Sequence, residues 1–83
     1  MSHLRDVVEI VARALADEPR RVSVTETEHR GTILIEAVVA PPDVGKIIGR
    51  QGRTIAAMRT LVAAAAERAG KRVAVEVRDS SAG

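Results

Sequence analysis

The chain has 83 residues, so we expect one small domain with a thin hydrophobic core. It contains no Phe, Tyr, Trp or Cys, which excludes aromatic stacking platforms, disulfide bonds and thiolate chemistry. No apolar run approaches the roughly 20 residues of a membrane span, and the charged N-terminus is unlike a signal peptide, so we expect a cytoplasmic protein.

The net charge of +2 hides an uneven distribution of charge along the chain. Residues 44–72 hold seven basic residues and one acidic residue, a net charge of +6, while the remainder holds six basic and ten acidic residues, a net charge of −4. This division favours one face that binds an anion and another that is merely solvated. The alternative is that the surface charges are unevenly placed without a functional reason.

The N-terminal segment predicts an amphipathic helix. Apolar residues recur at helical spacing from Leu4 to Leu15, with charged residues between them. We expect this helix to end near Glu18, because Pro19 disfavours helical backbone at the residue before it.

Two alternating segments follow and predict a β-hairpin. The first strand is expected over Arg21 to Glu28 and the second over Thr32 to Val39, with a turn at residues 29–31. One face of the second strand is fully apolar; it consists of Ile33, Ile35, Ala37 and Val39. Leu34 and Val38 make the opposite face partly apolar as well.

The next segment predicts a short helix between two breaks. Pro41 and Pro42 end the preceding strand, and Asp43 is a suitable N-cap for a helix from Val44 to about Ile48. Gly49 is expected to end that helix in a left-handed conformation.

The C-terminal part predicts the longest helix and a last strand. The helix should cover Arg53 to Ala69 and stop at Gly70. Its buried side is expected to hold Ile55, Met58, Val62, Ala65 and Ala69. Alternating valines predict a strand over Arg72 to Arg78. We assign residues 1–78 to one domain and residues 79–83 to a flexible tail.

These elements follow the order α-β-β-α-α-β. The economical packing is an α+β fold in which one three-stranded sheet carries the three helices on one face.

The segment between the last two helices is the most informative part of the sequence. Gly49 and Gly52 bracket a Gly-x-x-Gly turn without side chains at its ends, so another backbone can approach it closely. Lys46, Arg50 and Arg53 surround the turn, and the following helix directs its N-terminal N–H groups and positive dipole end at the same place. We interpret this segment as a clamp for nucleic-acid phosphates. The predicted contact residues are Gly45, Lys46, Ile48, Gly49, Arg50, Gln51, Gly52, Arg53 and Thr54.

Side chains near the turn are expected to form the rest of the site. Val44, Ile48 and Ile55 would give an aliphatic floor for bases, with the strand from Leu34 to Val38 as the far wall, although Ile48 and Ile55 are as readily explained as core residues.

The segment from Ile47 to Ile55 resembles the signature of the KH domain, and the element order resembles its type II arrangement. Nearly the whole chain resembles the small single-domain bacterial KH proteins of the KhpA family. The matching stretches run from Pro42 through Gly49-Arg50-Gln51-Gly52-Arg53-Thr54 to Leu61, and over residues 70–73.

The resemblance implies single-stranded RNA binding, described for the family as RNA-chaperone activity. It also implies a homodimer, or a heterodimer with a larger protein that carries KH and R3H domains, and a link to cell elongation and division. We expect no cofactor.

Three alternatives stay open at this point. Single-stranded DNA could occupy the same clamp. An interaction module could use the face of the long helix that holds Ala57, Leu61 and Ala64. A nucleotide-using enzyme is disfavoured, because the glycines match neither phosphate-binding loop pattern and the chain offers no metal cluster or activated nucleophile.

Overall fold

The computed structural model describes residues 3–82. Within these residues three α-helices and three β-strands follow the predicted order. The helices are α1 (His3–Leu15), α2 (Val44–Ile48) and α3 (Arg53–Arg68), and the strands are β1 (Ser23–His29), β2 (Thr32–Val39) and β3 (Arg72–Asp79). The predicted α+β fold is therefore confirmed.

The sheet has the spatial order β1-β2-β3. β1 and β2 form the predicted antiparallel hairpin, with His29 opposite Thr32 and a turn at Arg30 and Gly31. β3 pairs in parallel with β2, which requires a crossover, and α2 and α3 provide it. The loop between these two helices thus lies in the connection between a central strand and an edge strand.

The core lies between the helices and one face of the sheet. The inward residues of β2 are all buried, as predicted, and they pack with Val8 of α1 and Ile47 of α2. On α3 the buried residues are Ile55, Met58, Val62 and Ala66. The prediction for Ala65 and Ala69 was wrong, since both are exposed. A run of alanines carries no hydrophobic contrast, so its inward member could not be chosen from the pattern.

Asp43 does not act as the predicted side-chain cap of α2. Its backbone is helical and its side chain makes no capping hydrogen bond. Instead the buried carboxylate accepts the backbone N–H groups of Asp17 and Glu18, at 3.1 and 3.0 Å. These two N–H groups therefore do not continue α1, which explains why the helix ends at Leu15 rather than near Glu18.

The strand boundaries lie close to their predicted positions. β1 begins at Ser23 instead of Arg21, because residues 19–21 form a 3₁₀ turn. β3 continues to Asp79, which pairs with Val39, and a 3₁₀ turn follows over residues 80–82. Gly83 of the predicted tail lies outside the described residues.

Candidate nucleic-acid interface

The Gly-x-x-Gly segment forms a tight exposed turn between α2 and α3. The backbone N–H of Gly49 donates to the carbonyl of Gly45 at 2.9 Å, which closes α2. The N–H of Gly52 donates back to the carbonyl of Gly49 at 3.0 Å. The side chains of Arg50 and Gln51 are exposed at the tip of the turn.

The two glycines are required for different reasons. Gly49 has φ 81° and ψ 170°, a region that is essentially restricted to glycine. A Cβ atom there would also lie only 2.7 Å from Cβ of Thr54. Gly52 has φ 71° and ψ 17°, yet nothing lies within 4 Å of an added Cβ. The prediction for Gly49 was thus right about the positive φ and wrong about the left-handed helical ψ.

Gln51 also has a left-handed backbone, with φ 56° and ψ 25°. This conformation costs a residue with a Cβ about 1–2 kcal/mol. Gln51 lies at the exposed tip of the turn, and this backbone conformation directs its side chain outward. Strain of this kind often marks a functional segment.

The N-terminus of α3 is free to receive an anion. Gly52 occupies the cap position and provides no side chain, and in the described part of the chain no acidic residue lies in the first helical turn. Arg53 is exposed at the first position of the helix, and Thr54 is half-buried beside Gly49. The N–H of Arg53 donates back to the carbonyl of Arg50. No side chain of residues 3–82 caps the helix, so the positive end of its dipole meets no acidic side chain of the first turn.

Ion pairing separates the basic side chains of residues 3–82 into two groups. Those paired with a carboxylate are Arg5, Arg13, Arg21, Lys46, Lys71 and Arg78. Arg50, Arg53 and Arg59 make no ion pair within these residues. The same holds for Arg20, Arg30, Arg68 and Arg72. The loop and the first half of α3 consequently carry positive charge that the described carboxylates do not neutralise.

Lys46 differs from the other cations predicted for the site. Its Nζ lies 3.2 Å from Oδ2 of Asp17, in an ion pair whose members are 44% and 74% exposed. Gly45, next to it on α2, is exposed, with nothing within 4 Å of an added Cβ. The outer face of α2 thus offers a backbone that a ligand can approach at Gly45. Its cation, Lys46, already pairs with Asp17.

The predicted aliphatic floor is only partly available. Ile48 is 36% exposed at the end of α2, and Val44 is half-buried. Ile55 is 6% exposed and belongs to the core. Ile48 and Val44 are therefore the aliphatic side chains next to the turn that a base could touch.

The strand beside the two helices that flank the turn is β3, and not the segment of β2 that was predicted as the far wall. β2 is the central strand, whereas β3 is an edge strand that lies beside both α2 and α3. The sequence order of strands does not reveal which strand a parallel crossover places at the edge.

Arg59 is a residue of this region that the sequence analysis missed. Its Nε and Nη2 donate to the backbone carbonyl of Val75 in β3, at 3.3 and 3.1 Å. It borders a groove of about 330 Å³ between α3 and β3. The sequence marked Arg59 only as one member of the basic stretch, with no signal that it faces the edge strand.

No helix in residues 3–82 has both the length and the apolar character that crossing a membrane requires.

The family model and the similar proteins agree on one family. The family model described as "KhpA/KhpB, KH domain" matches residues 5–77. The chain is 46% identical over 77 residues to the RNA-binding protein KhpA of Aquifex aeolicus, which covers 93% of this chain and 98% of the relative. It is 50% identical over 72 residues to the protein of the same name from Caldanaerobacter subterraneus, covering 87% and 96% of the two chains.

A solved structure shows a similar fold. The crystal structure of Era in complex with MgGDPNP and nucleotides 1506–1542 of 16S ribosomal RNA superimposes with a TM-score of 0.54. The match covers 92% of this chain and 29% of the Era chain, at 20% identity, so it concerns the fold alone.

The names of the similar proteins describe RNA binding. The residues matched by the family model, 5–77, include the whole Gly-x-x-Gly segment. The chain belongs to the KhpA/KhpB KH-domain family.

Proposed function

We propose that this protein binds single-stranded RNA and that the loop at Gly49–Gly52 clamps about four nucleotides through their backbone. The observation that carries this proposal is the joint position of three features: the exposed turn, the N-terminus of α3 without a side-chain cap, and the side chains of Arg50 and Arg53, which make no ion pair within residues 3–82. The names of the similar KhpA proteins support RNA as the ligand.

Each predicted contact residue has a role in this clamp. The three glycines leave space for the sugar–phosphate chain, and Arg50 and Gln51 contact phosphate or sugar. Lys46 and Arg53 flank the path of the strand, and Thr54 supports the turn beneath Gly49. Ile48 offers an aliphatic surface to a base. Since no aromatic side chain is present, each base gains less than the ~1–3 kcal/mol of an aromatic platform, and a single copy binds weakly.

The direct test is a native gel shift with single-stranded RNA and the double variant Arg50→Asp/Gln51→Asp. Carboxylates placed against phosphates should abolish binding, while the exposed position of both residues leaves the fold intact. Arg30→Asp is a charge-matched control for Arg50→Asp, because Arg30 is also an exposed arginine in a turn and makes no ion pair within residues 3–82. Wild-type affinity in a correctly folded double variant would refute the clamp.

The same assay distinguishes the ligand. An RNA oligonucleotide should bind more tightly than single-stranded DNA of the same sequence, because ribose hydroxyls add contacts. Tighter binding of DNA would mean that DNA and not RNA is the ligand, and the proposed clamp would still stand. The proposed setting is the cytoplasm, where an RNA-chaperone role would use weak and reversible contacts of this kind.

We also propose that two copies associate through the outer face of α3. Leu61 is 63% exposed on that face, among the exposed residues Ala57, Ala64 and Ala65. A dimer would join two clamps and raise avidity through effective concentration. The alternative partner is a larger protein with KH and R3H domains. The mass in solution, with and without RNA, tests self-association, and Leu61→Glu should yield monomers.

A further inference from the structure

The groove between α3 and the free edge of β3 offers backbone and side-chain groups that the clamp does not use. It has a volume of about 330 Å³. Its lining residues include Arg59 and Ala63 of α3 and Val73, Val75 and Glu76 of β3. Because β3 is an edge strand in residues 3–82, one side of its backbone has no neighbouring strand, and the bond from Arg59 shows that the Val75 carbonyl points to that side.

The guanidinium group of Arg59 is anchored along one edge and free along another. Its Nε and Nη2 both donate to the Val75 carbonyl, so this edge of the planar group is occupied. The edge formed by Nη1 and Nη2 still presents two parallel N–H donors. In the described part of the chain no carboxylate forms an ion pair with Arg59, although Glu76 borders the same groove. The bond to β3 therefore orients an unoccupied donor pair beside the groove.

The position of Arg59 on α3 suits a strand that is held at the loop. Arg59 lies six positions after Arg53, which is about 9 Å farther along the helix axis. A chain of about four nucleotides clamped at the loop extends far enough to bring a base to this point.

Guanine is the base that matches such a donor pair. Its O6 and N7 are adjacent acceptors that pair bidentately with arginine, which is the commonest base-specific contact of this side chain. In single-stranded RNA this edge is not hidden in a helix groove. We propose that Arg59 reads a guanine in the α3–β3 groove and is thereby a specificity-determining residue for the RNA binding proposed above, on which this inference rests.

The test is a fluorescence-anisotropy titration with short oligouridylates that carry a single guanosine at each position in turn. At one position guanosine should raise the affinity of the wild-type protein roughly fivefold or more over oligouridylate. Inosine keeps O6 and N7 and should retain the gain, whereas 7-deazaguanosine lacks N7 and should lose most of it. Arg59→Lys keeps the charge without the planar donor pair and should lose the preference.

Two further variants separate recognition of guanine by Arg59 from a purely structural role of Arg59 at the edge of β3. Arg68→Ala removes another exposed arginine of α3, one without an ion pair in the described part of the chain, and should leave the guanosine preference unchanged. Arg59→Gln retains a donor for the Val75 carbonyl and serves if Arg59→Lys does not fold. A folded Arg59 variant that still prefers guanosine would overturn the inference. RNA binding by the wild-type protein without any guanosine preference would overturn it too and leave the clamp standing, whereas absence of all binding would refute the proposed function itself.

Discussion

Asp43 holds Asp17 beside the proposed RNA site. Oδ1 of Asp43 accepts the backbone N–H of Asp17 at 3.1 Å, and the carboxylate of Asp17 lies 3.2 Å from Nζ of Lys46. A fixed negative charge thus stands against one of the cations that the clamp is expected to use. The end of α1 and the outer face of α2 are coupled through this contact.

Asp17→Asn should therefore strengthen RNA binding. Removal of the carboxylate frees Lys46 for phosphate, and an exposed ion pair of this type stabilises the fold by only about 0–1 kcal/mol. We expect the affinity to rise by roughly twofold to fivefold, in line with that modest interaction energy. Glu18→Gln is the matched control. It removes the same charge from the neighbouring residue, whose carboxylate pairs with Arg21 and not with Lys46. Equal gains in both variants would mean that net charge, and not Lys46, sets the affinity.

Asp43→Ala should destabilise the protein without changing any residue of the Gly49–Gly52 loop. The variant loses two hydrogen bonds to a buried carboxylate, and each such bond to a charged group contributes about 1.5–3 kcal/mol. Because the two donor residues are exposed, water can replace part of the loss. We expect the free energy of unfolding, measured in urea, to fall by about 2–3 kcal/mol. An unchanged midpoint would show that the Asp43 bonds do not stabilise the junction between α1 and α2.

Local pattern was sufficient to predict some elements of this fold. The alternation of Thr32 to Val39 gave the strand its observed limits, since every second residue faces the core. The glycines at the ends of the turn likewise marked its position, because both take positive φ.

Contacts between distant residues could not be predicted in the same way. The partners of Asp43 lie 25 and 26 residues earlier, so its local context suggested only a helix cap. Arg59 meets Val75 only because a parallel strand returns to the edge of the sheet. Both residues take their roles from topology, which the periodicity of single segments does not contain.

The affinity for RNA should fall with salt. If about three cationic groups contact phosphates of a single strand, log K should decrease with log[salt] with a slope of about −2. The Arg50→Asp/Gln51→Asp variant should show a smaller slope wherever residual binding can be measured. Anisotropy titrations over a range of potassium chloride concentrations give the slope, and an affinity independent of salt would contradict phosphate contacts.

Two glycine substitutions should separate folding from binding. Gly49→Ala forces a Cβ against Thr54 at a backbone conformation that alanine avoids, and it should prevent stable folding. Gly45→Ala meets no neighbour and lies in α2, so it should stabilise the helix by about 0.5–1 kcal/mol. If RNA passes over this face, the added methyl group should nevertheless weaken binding. Thermal melting and gel shifts on the same samples test both effects, and unimpaired binding by Gly45→Ala would remove Gly45 from the contact surface.

The pH dependence of stability should contain a contribution from Glu9. A side-chain hydrogen bond from Arg5 is the main reason that the pKa of Glu9 lies below its ordinary value of 4.5, and a hydrogen bond from Arg13 acts in the same direction. Arg5 also donates to the backbone carbonyl of Val24 in the edge strand β1, and Arg13 to that of Val22 just before this strand. The ionised carboxylate therefore organises the contact between α1 and the sheet.

Because folding lowers this pKa, the unfolded chain takes up the proton first as the pH falls. The contribution of Glu9 is complete above the pKa of the unfolded chain and disappears as the pH falls through the pKa of the folded protein. Glu9→Gln should consequently be less stable than the wild type near neutral pH, and the difference should shrink in acid. Glu67→Gln, which removes a glutamate without an ion pair in residues 3–82, should show no such convergence. Urea unfolding at a series of pH values measures both differences, and a Glu9→Gln penalty that persisted unchanged in acid would assign the effect to packing instead of charge.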